Sequence, residues 1–211
     1  MALPVPPPRS APGVRPARPT GGSPVPAGTA SAALGWYADV LGWPVRTGPP
    51  AELETGTRFD VLDLPAEAGR AVLRRAGLAG PVARAAGRTH FFVAAGSADE
   101  LPGLLDWLEW GGVELDLRGV GSGGRVAAPV PPGMPVRAPG AAFWLRPPGP
   151  PGEGRSALPA LAGFGSRGGG APDLVRLVDA AATECHRARL AGARERQRPA
   201  REPASQPLAF S

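Results

Sequence analysis

Arg58-Phe59-Asp60-Val61-Leu62-Asp63-Leu64, closed by Pro65, is the stretch on which the fold turns. Its apolar residues are nearly continuous, as in a central strand. Pro65 ends the strand and suits the first turn of a following helix, because its fixed φ is helical and its missing N–H has no partner to lose there. That helix carries Val72 and Leu73 and stops near Gly77. A second strand follows at Arg88-Thr89-His90-Phe91-Phe92-Val93. Next comes Ser97-Ala98-Asp99-Glu100, the pattern of a capping box, in which Ser97 and Glu100 satisfy exposed backbone donors reciprocally. The helix it opens holds Leu101, Leu104, Leu105 and Leu108 as a core-facing stripe, flanked by Trp107 and Trp110.

Val113-Glu114-Leu115-Asp116-Leu117-Arg118 alternates strictly, so a strand there turns Glu114, Asp116 and Arg118 to one face. Gly42–Val45 reads as a turn into a short strand, further strands are expected at Gly124–Pro129 and Ala142–Leu145, a first helix at Ser31–Leu41 and a last one from Pro172 to Leu190. The element order predicts an α+β fold, a mixed or antiparallel sheet with helices packed mainly on one face.

Outside these segments the composition changes. Gly (31) and Pro (29) together exceed a quarter of the chain and show no period. Residues 1–30 contain no aromatic side chain, and residues 147–172 and 192–211 are similarly poor in bulky apolar groups. Such segments bury too little to offset the entropy of ordering. The expected organisation is a disordered arm over 1–30, an α+β domain over 31–146, a Gly/Pro linker over 147–172, a C-terminal helix over 173–191 and a disordered basic tail over 192–211.

All 23 basic residues are Arg. Residues 31–150 carry 11 Arg against 12 acids, whereas 1–30 carry three Arg and no acid, and 184–211 six Arg against three Glu. The excess positive charge lies in the tails, where it gives weak, salt-sensitive attraction to polyanions. A domain gripping a duplex through many phosphates should itself be basic, and this one is near neutral. One cysteine, Cys185, excludes an internal disulfide and a cysteine-rich metal site. The Pro-broken N-terminus lacks the apolar core of a signal peptide and no apolar run is long enough to span a bilayer, so a cytoplasmic protein with no membrane partner is expected.

Two G-x-G-x-x-G matches, at Gly119, Gly121, Gly124 and at Gly163, Gly165, Gly168, lack the strand-before and helix-after context of a dinucleotide site. Cys185-His186 falls on different faces of one helix and reads as a packed thiol beside a solvent-facing imidazole. The constellation with chemical content is spread over three strands: Asp60 and Asp63, then His90, then Glu114 and Asp116. Acids and an imidazole on neighbouring strands are the ingredients of metal-dependent phosphoryl transfer.

Leu34-Gly35-Trp36-Tyr37 with Gly42-Trp43-Pro44-Val45, then Thr55–Pro65, then Gly87–Phe92, then Val113–Arg118 with Gly124–Pro129, resemble in order and spacing the bifunctional DNA primase/polymerase N-terminal (Prim-Pol) family over residues 34–146. The resemblance implies two divalent metals, Mg²⁺ or Mn²⁺, held by a D-x-[DE] pair and a later Asp, with a His contacting the incoming nucleotide. Residue by residue it implies Asp63, His90 and Asp116 for those places. Arg88 and His90 are the candidate nucleotide contacts. Asp63, Asp116 and Glu114 are the candidate metal ligands. Two departures bear on activity. The second acid of D-x-[DE] falls on Pro65, and Asp60, three residues from Asp63, points to the opposite face of a regular strand. Glu67 and Glu114 are the substitutes within reach. Only a short segment, Arg46 to Glu54, stands where relatives carry a longer basic stretch.

The expected function is a DNA primase/polymerase-like protein, weak or inactive as a polymerase, acting as a nucleotide- or DNA-associated accessory factor in DNA replication. The alternatives are an active primase-polymerase, a metal-dependent nucleotidyltransferase, and a regulatory module that meets a protein partner through Trp107, Trp110 and the Pro-rich arms. Removing residues 1–30 is expected to leave the melting temperature nearly unchanged. A drop of several degrees, about 1 kcal/mol in a domain of this size, would show that the arm packs.

Overall fold

The computed structural model describes residues 32–75, 77–78, 80–136, 139–149, 158–161 and 173–197. The arm over 1–30, most of the linker over 147–172 and most of the tail over 192–211 lie outside them. Among the described residues eight strands are formed: β1 Val45–Arg46, β2 Glu52–Glu54, β3 Asp60–Pro65, β4 Val82–Ala85, β5 Arg88–Val93, β6 Arg118–Val120, β7 Arg125–Ala127 and β8 Phe143–Arg146. The helices are α1, a π-helical turn at Trp36–Leu41, then α2 Ala66–Leu73, α3 Ser97–Trp107 and α4 Leu174–Gln197. The five-stranded sheet has the order β6-β3-β5-β4-β8, and a smaller sheet the order β1-β2-β7. Every pairing between these strands is antiparallel.

The apolar run Asp60–Pro65 becomes β3, inside the large sheet. It pairs with β5 from Asp60↔Val93 to Pro65↔Arg88, and with β6 from Val61↔Val120 to Asp63↔Arg118. Strand pleating divides its side chains between two cores. Leu62 and Leu64 join Val82, Phe91 and Val93 under α2, α3 and α4. Val61 joins Ala83 and Phe92 on the other face, against α1 and the small sheet. Burial on both faces explains why β3 reads as nearly continuous apolar sequence. The second core is aromatic, with ring centroids 4.4 Å apart for Trp43 and Phe59, and 4.9 Å for Phe92 and Trp144.

The α+β class with an antiparallel sheet is therefore present, and α2, α3 and α4 share one face of the large sheet. Docking of α2 depends on Gly69. A Cβ there would lie 2.3 Å from the Cβ and Oγ1 of Thr89 on β5, so only glycine lets the helix approach this closely. Among the described residues, no helix is long and apolar enough to cross a membrane.

Several local expectations need correction. Val113–Leu117 is not a strand; pairing begins at Arg118, because Leu117 is spent on burial under the helices rather than on the ladder. Ser97 is the first residue of α3, and the cap position is Gly96, which has no side chain to offer. The acceptor comes instead from Asp60 on β3, whose Oδ2 takes a 2.9 Å hydrogen bond from the Ala98 amide. Residues 124–129 contribute β7 to the small sheet rather than a strand to the large one. Strand β4 was not expected at all. Its hairpin to β5 turns on Ala86 and Gly87, both at positive φ (45° and 80°), a tight-turn geometry that Ala disguises in sequence.

Helix α4 runs beyond the expected 191 to Gln197. Asp173 caps it, its Oδ1 accepting from the amides of Val175 at 2.9 Å and Arg176 at 3.4 Å. Leu174, Leu177, Val178 and Ala181 are almost wholly buried against the sheet and α2. Leu177→Ala should therefore cost about 2–5 kcal/mol in urea unfolding. A cost near zero would show that α4 is an appendage rather than part of the core.

Candidate functional site

Asp63 and His90 are direct cross-strand partners in the β3–β5 ladder. Their side chains therefore share the face opposite the helices, and Arg88, two residues before His90, shares it too. The same pleat sends Asp60 to the helix face, where it caps α3. Asp116 reaches the group from the irregular segment that leads into β6, β3's other neighbour. Three of the expected residues, Asp63, His90 and Asp116, are thus brought to one place, together with Arg88.

Arg88 organises the group. Its Nε donates to Asp63 Oδ1 at 2.9 Å, its Nη2 to the Asp63 carbonyl oxygen at 3.2 Å and its Nη1 to Asp116 Oδ2 at 2.6 Å. A guanidinium can do this because its donors lie in a rigid plane that serves two carboxylates at once. His90 Nε2 lies 3.5 Å from Asp63 Oδ1, a longer contact than an ordinary hydrogen bond. Arg118 adds a looser approach, Nη2 at 3.8 Å from Asp116 Oδ1. Side-chain exposure grades from 15 % at Asp63 to 50 % at Asp116, so the group has a buried floor and an open rim.

Burial alone would raise the Asp63 carboxyl, but contacts and charge from His90 and Arg88 outweigh it and hold the group below the usual carboxylate range. For Arg88, burial works against the charged form, and Asp63 and Asp116 more than restore it, so its pKa lies above the ordinary value. Two acids are matched here by two guanidinium groups.

Glu114 is directed elsewhere. Its Oε2 accepts from Arg189 Nη2 at 2.8 Å and its carbonyl oxygen from Arg189 Nη1 at 2.6 Å, on α4. Glu67 is exposed in the first turn of α2. Among the described residues, no group of three His, Cys, Asp or Glu side chains is placed to hold a metal ion. The donor chemistry gives the reason: Asp63 and Asp116 already share a cation, and Pro65 occupies the position of a further acid. The residues present do not fit the metal pair that the family resemblance implies.

Sequence reasoning named Arg88 as a nucleotide contact and did not foresee its hold on both acids. The periodicity of β5 does place it on the Asp63 face, which was the available signal. No spacing pointed to Arg189, which meets Glu114 across 75 residues.

The lowered Asp63 pKa fixes a sign. A carboxyl whose folded pKa lies below its unfolded value stabilises fully above the unfolded value, and the stabilisation is lost as pH falls through the folded one. Asp63→Asn should cost about 1–3 kcal/mol near neutral pH. It should also flatten the loss of stability below about pH 4, where an ordinary aspartate titrates. Urea unfolding across that range checks both, and an unchanged acid limb would remove Asp63 as a contributor. Comparison of the chain with protein-family models, with curated proteins and with solved structures finds no match.

Proposed function

We propose that this is a DNA primase/polymerase-like domain in which an internal guanidinium has taken the place of catalytic metal, leaving a nucleotide- or DNA-associated accessory protein. The observation that carries the reading is Arg88, hydrogen-bonded to Asp63 at 2.9 Å and to Asp116 at 2.6 Å. A divalent ion at these acids would have to displace a charge-assisted fork that is already satisfied. Two-metal transfer needs acids free to hold both ions and to neutralise the attacking and leaving oxygens. Binding needs less, and the exposed rim at Arg118 and Asp116 together with the Arg-rich ends of the chain supports weak association with polyanions.

The test is incorporation of labelled nucleotide on a primed template with Mg²⁺ or Mn²⁺, beside anisotropy of a labelled single-stranded oligonucleotide. The expected outcome is no incorporation, with oligonucleotide binding that weakens steeply as salt is raised. Robust synthesis abolished by Asp63→Ala or Asp116→Ala would overturn the reading in favour of an active enzyme. Absence of any oligonucleotide or nucleotide binding would overturn it in the other direction.

A second reading is favoured by one observation. Trp107, on the outer face of α3, is 71 % exposed. A large aromatic ring left in water is the kind of residue that anchors protein interfaces. In that reading the fold is a scaffold, and Trp107→Ala would abolish partner capture without changing oligonucleotide binding.

A further inference from the structure

Between α3 and β6 the chain runs as an irregular strap, residues 109–117. It begins at Glu109, held at φ 65°, and passes through Gly111-Gly112. Main-chain hydrogen bonds hold its first turn, from Trp110 N to Leu105 O at 2.8 Å and from Val113 N to Trp110 O at 2.9 Å. Beyond that turn they stop. Among the described residues, outside the sheet ladders, none joins the main chain of Glu114, Leu115, Asp116 or Leu117 to main chain elsewhere.

Side chains hold those residues instead, and α4 supplies most of them within little more than one helical turn. Arg189 donates to the side chain and carbonyl of Glu114. The His186 ring lies 5.7 Å from that of Trp110. The Cys185 thiol meets the Asp116 carbonyl oxygen at 3.7 Å. From the sheet side, Arg88 takes the Asp116 carboxylate, and Leu117 is buried as the far anchor.

We propose that residues 109–116 form a hinged strap, latched to α4 by Arg189 and to β5 by Arg88, whose opening uncovers Cys185 and withdraws Asp116 from the acidic site. The hinge is the unfavourable positive φ of Glu109 beside two glycines, where backbone torsions change at low cost. The latch to α4 is weak enough to release, since Arg189 and Glu114 are 51 % and 89 % exposed and such pairs are screened by solvent. Local opening of this kind lies below global unfolding in free energy. The state of the strap would then set two properties together. When it is closed, Cys185 is almost wholly buried and its thiol lies against the Asp116 carbonyl oxygen, out of reach of a reagent in water. When it is open, the thiol reaches water and Arg88 loses one of its two carboxylates.

Cys185 is the sole cysteine, so it reports on its own cover. Full-length protein, as wild type, Arg189→Ala and Glu114→Ala, is labelled with a maleimide under native conditions and at urea concentrations below the unfolding transition. Labelling is followed by mass spectrometry. The expected result is slow labelling of wild type with little urea dependence at low urea. Arg189→Ala should label several-fold to about tenfold faster, because it loses both contacts to Glu114. Glu114→Ala should fall between, because the carbonyl contact survives. Two results would overturn the proposal. One is equal labelling rates in wild type and Arg189→Ala. The other is labelling of wild type that follows urea with the full slope of global unfolding, since the thiol would then be reached only by unfolding the domain. The second measurement needs no variant.

Discussion

Strand β3 has no free side, and the rest of the structure is arranged around that constraint. Both of its edges are taken, by β5 and β6, and both of its faces are covered, by helices on one and by aromatic rings and the small sheet on the other. Moving β3 by one residue would turn Leu62 and Leu64 into the aromatic core and Val61 under the helices, so its register is fixed by both cores at once. Asp63 inherits that precision. It stands opposite His90 and within reach of Arg88 because the ladder cannot slip, not because those three residues select one another.

The polar group on this strand is best understood as a closed account of charge. A carboxylate as enclosed as Asp63 needs a compensating partner. In a metal enzyme the partner is the ion. Here it is Arg88, which also spans to Asp116 and so joins β5 to the segment before β6. Arg and a divalent ion are alternative solutions to one electrostatic problem, and they differ in consequence. An ion leaves coordination positions for substrate, whereas a guanidinium spends its donors on the protein.

The parts of the molecule legible in the sequence were those governed by local pattern. Strands β3 and β5 stood out because residues buried on two faces leave continuous apolar sequence. That Asp60 and Asp63 point to opposite faces followed from period two, whereas the pairing of Asp63 with His90 is set by the register of β3 on β5. The features that escaped were set by tertiary context. Val113–Leu117 alternates as a strand should, yet it is bound by side chains from α4, and the same alternation serves to bury Leu117 in an irregular path. Strand β4 hid behind Ala in a turn position that usually advertises itself with Asn or Gly. The cap of α3 looked local, in the Ser97 to Glu100 spacing, and came from Asp60, 38 residues away. Arg88 was visible as a residue and not as a counter-ion, because its partners lie 25 residues before it and 28 after it in the chain.

That remote cap has a geometric consequence for the surface. Asp60 is almost fully enclosed, and it fixes the Ala98 amide in the first turn of α3 to the start of β3. A helix pinned at its start in this way cannot roll about its own axis without breaking the bond and dragging Leu101 and Leu104 out of the core. Trp107 is carried by the same helix, about 15 Å further on at the ordinary rise per residue. Its azimuth is therefore dictated from below: the most exposed large apolar side chain among the described residues is aimed by one of the most enclosed carboxylates.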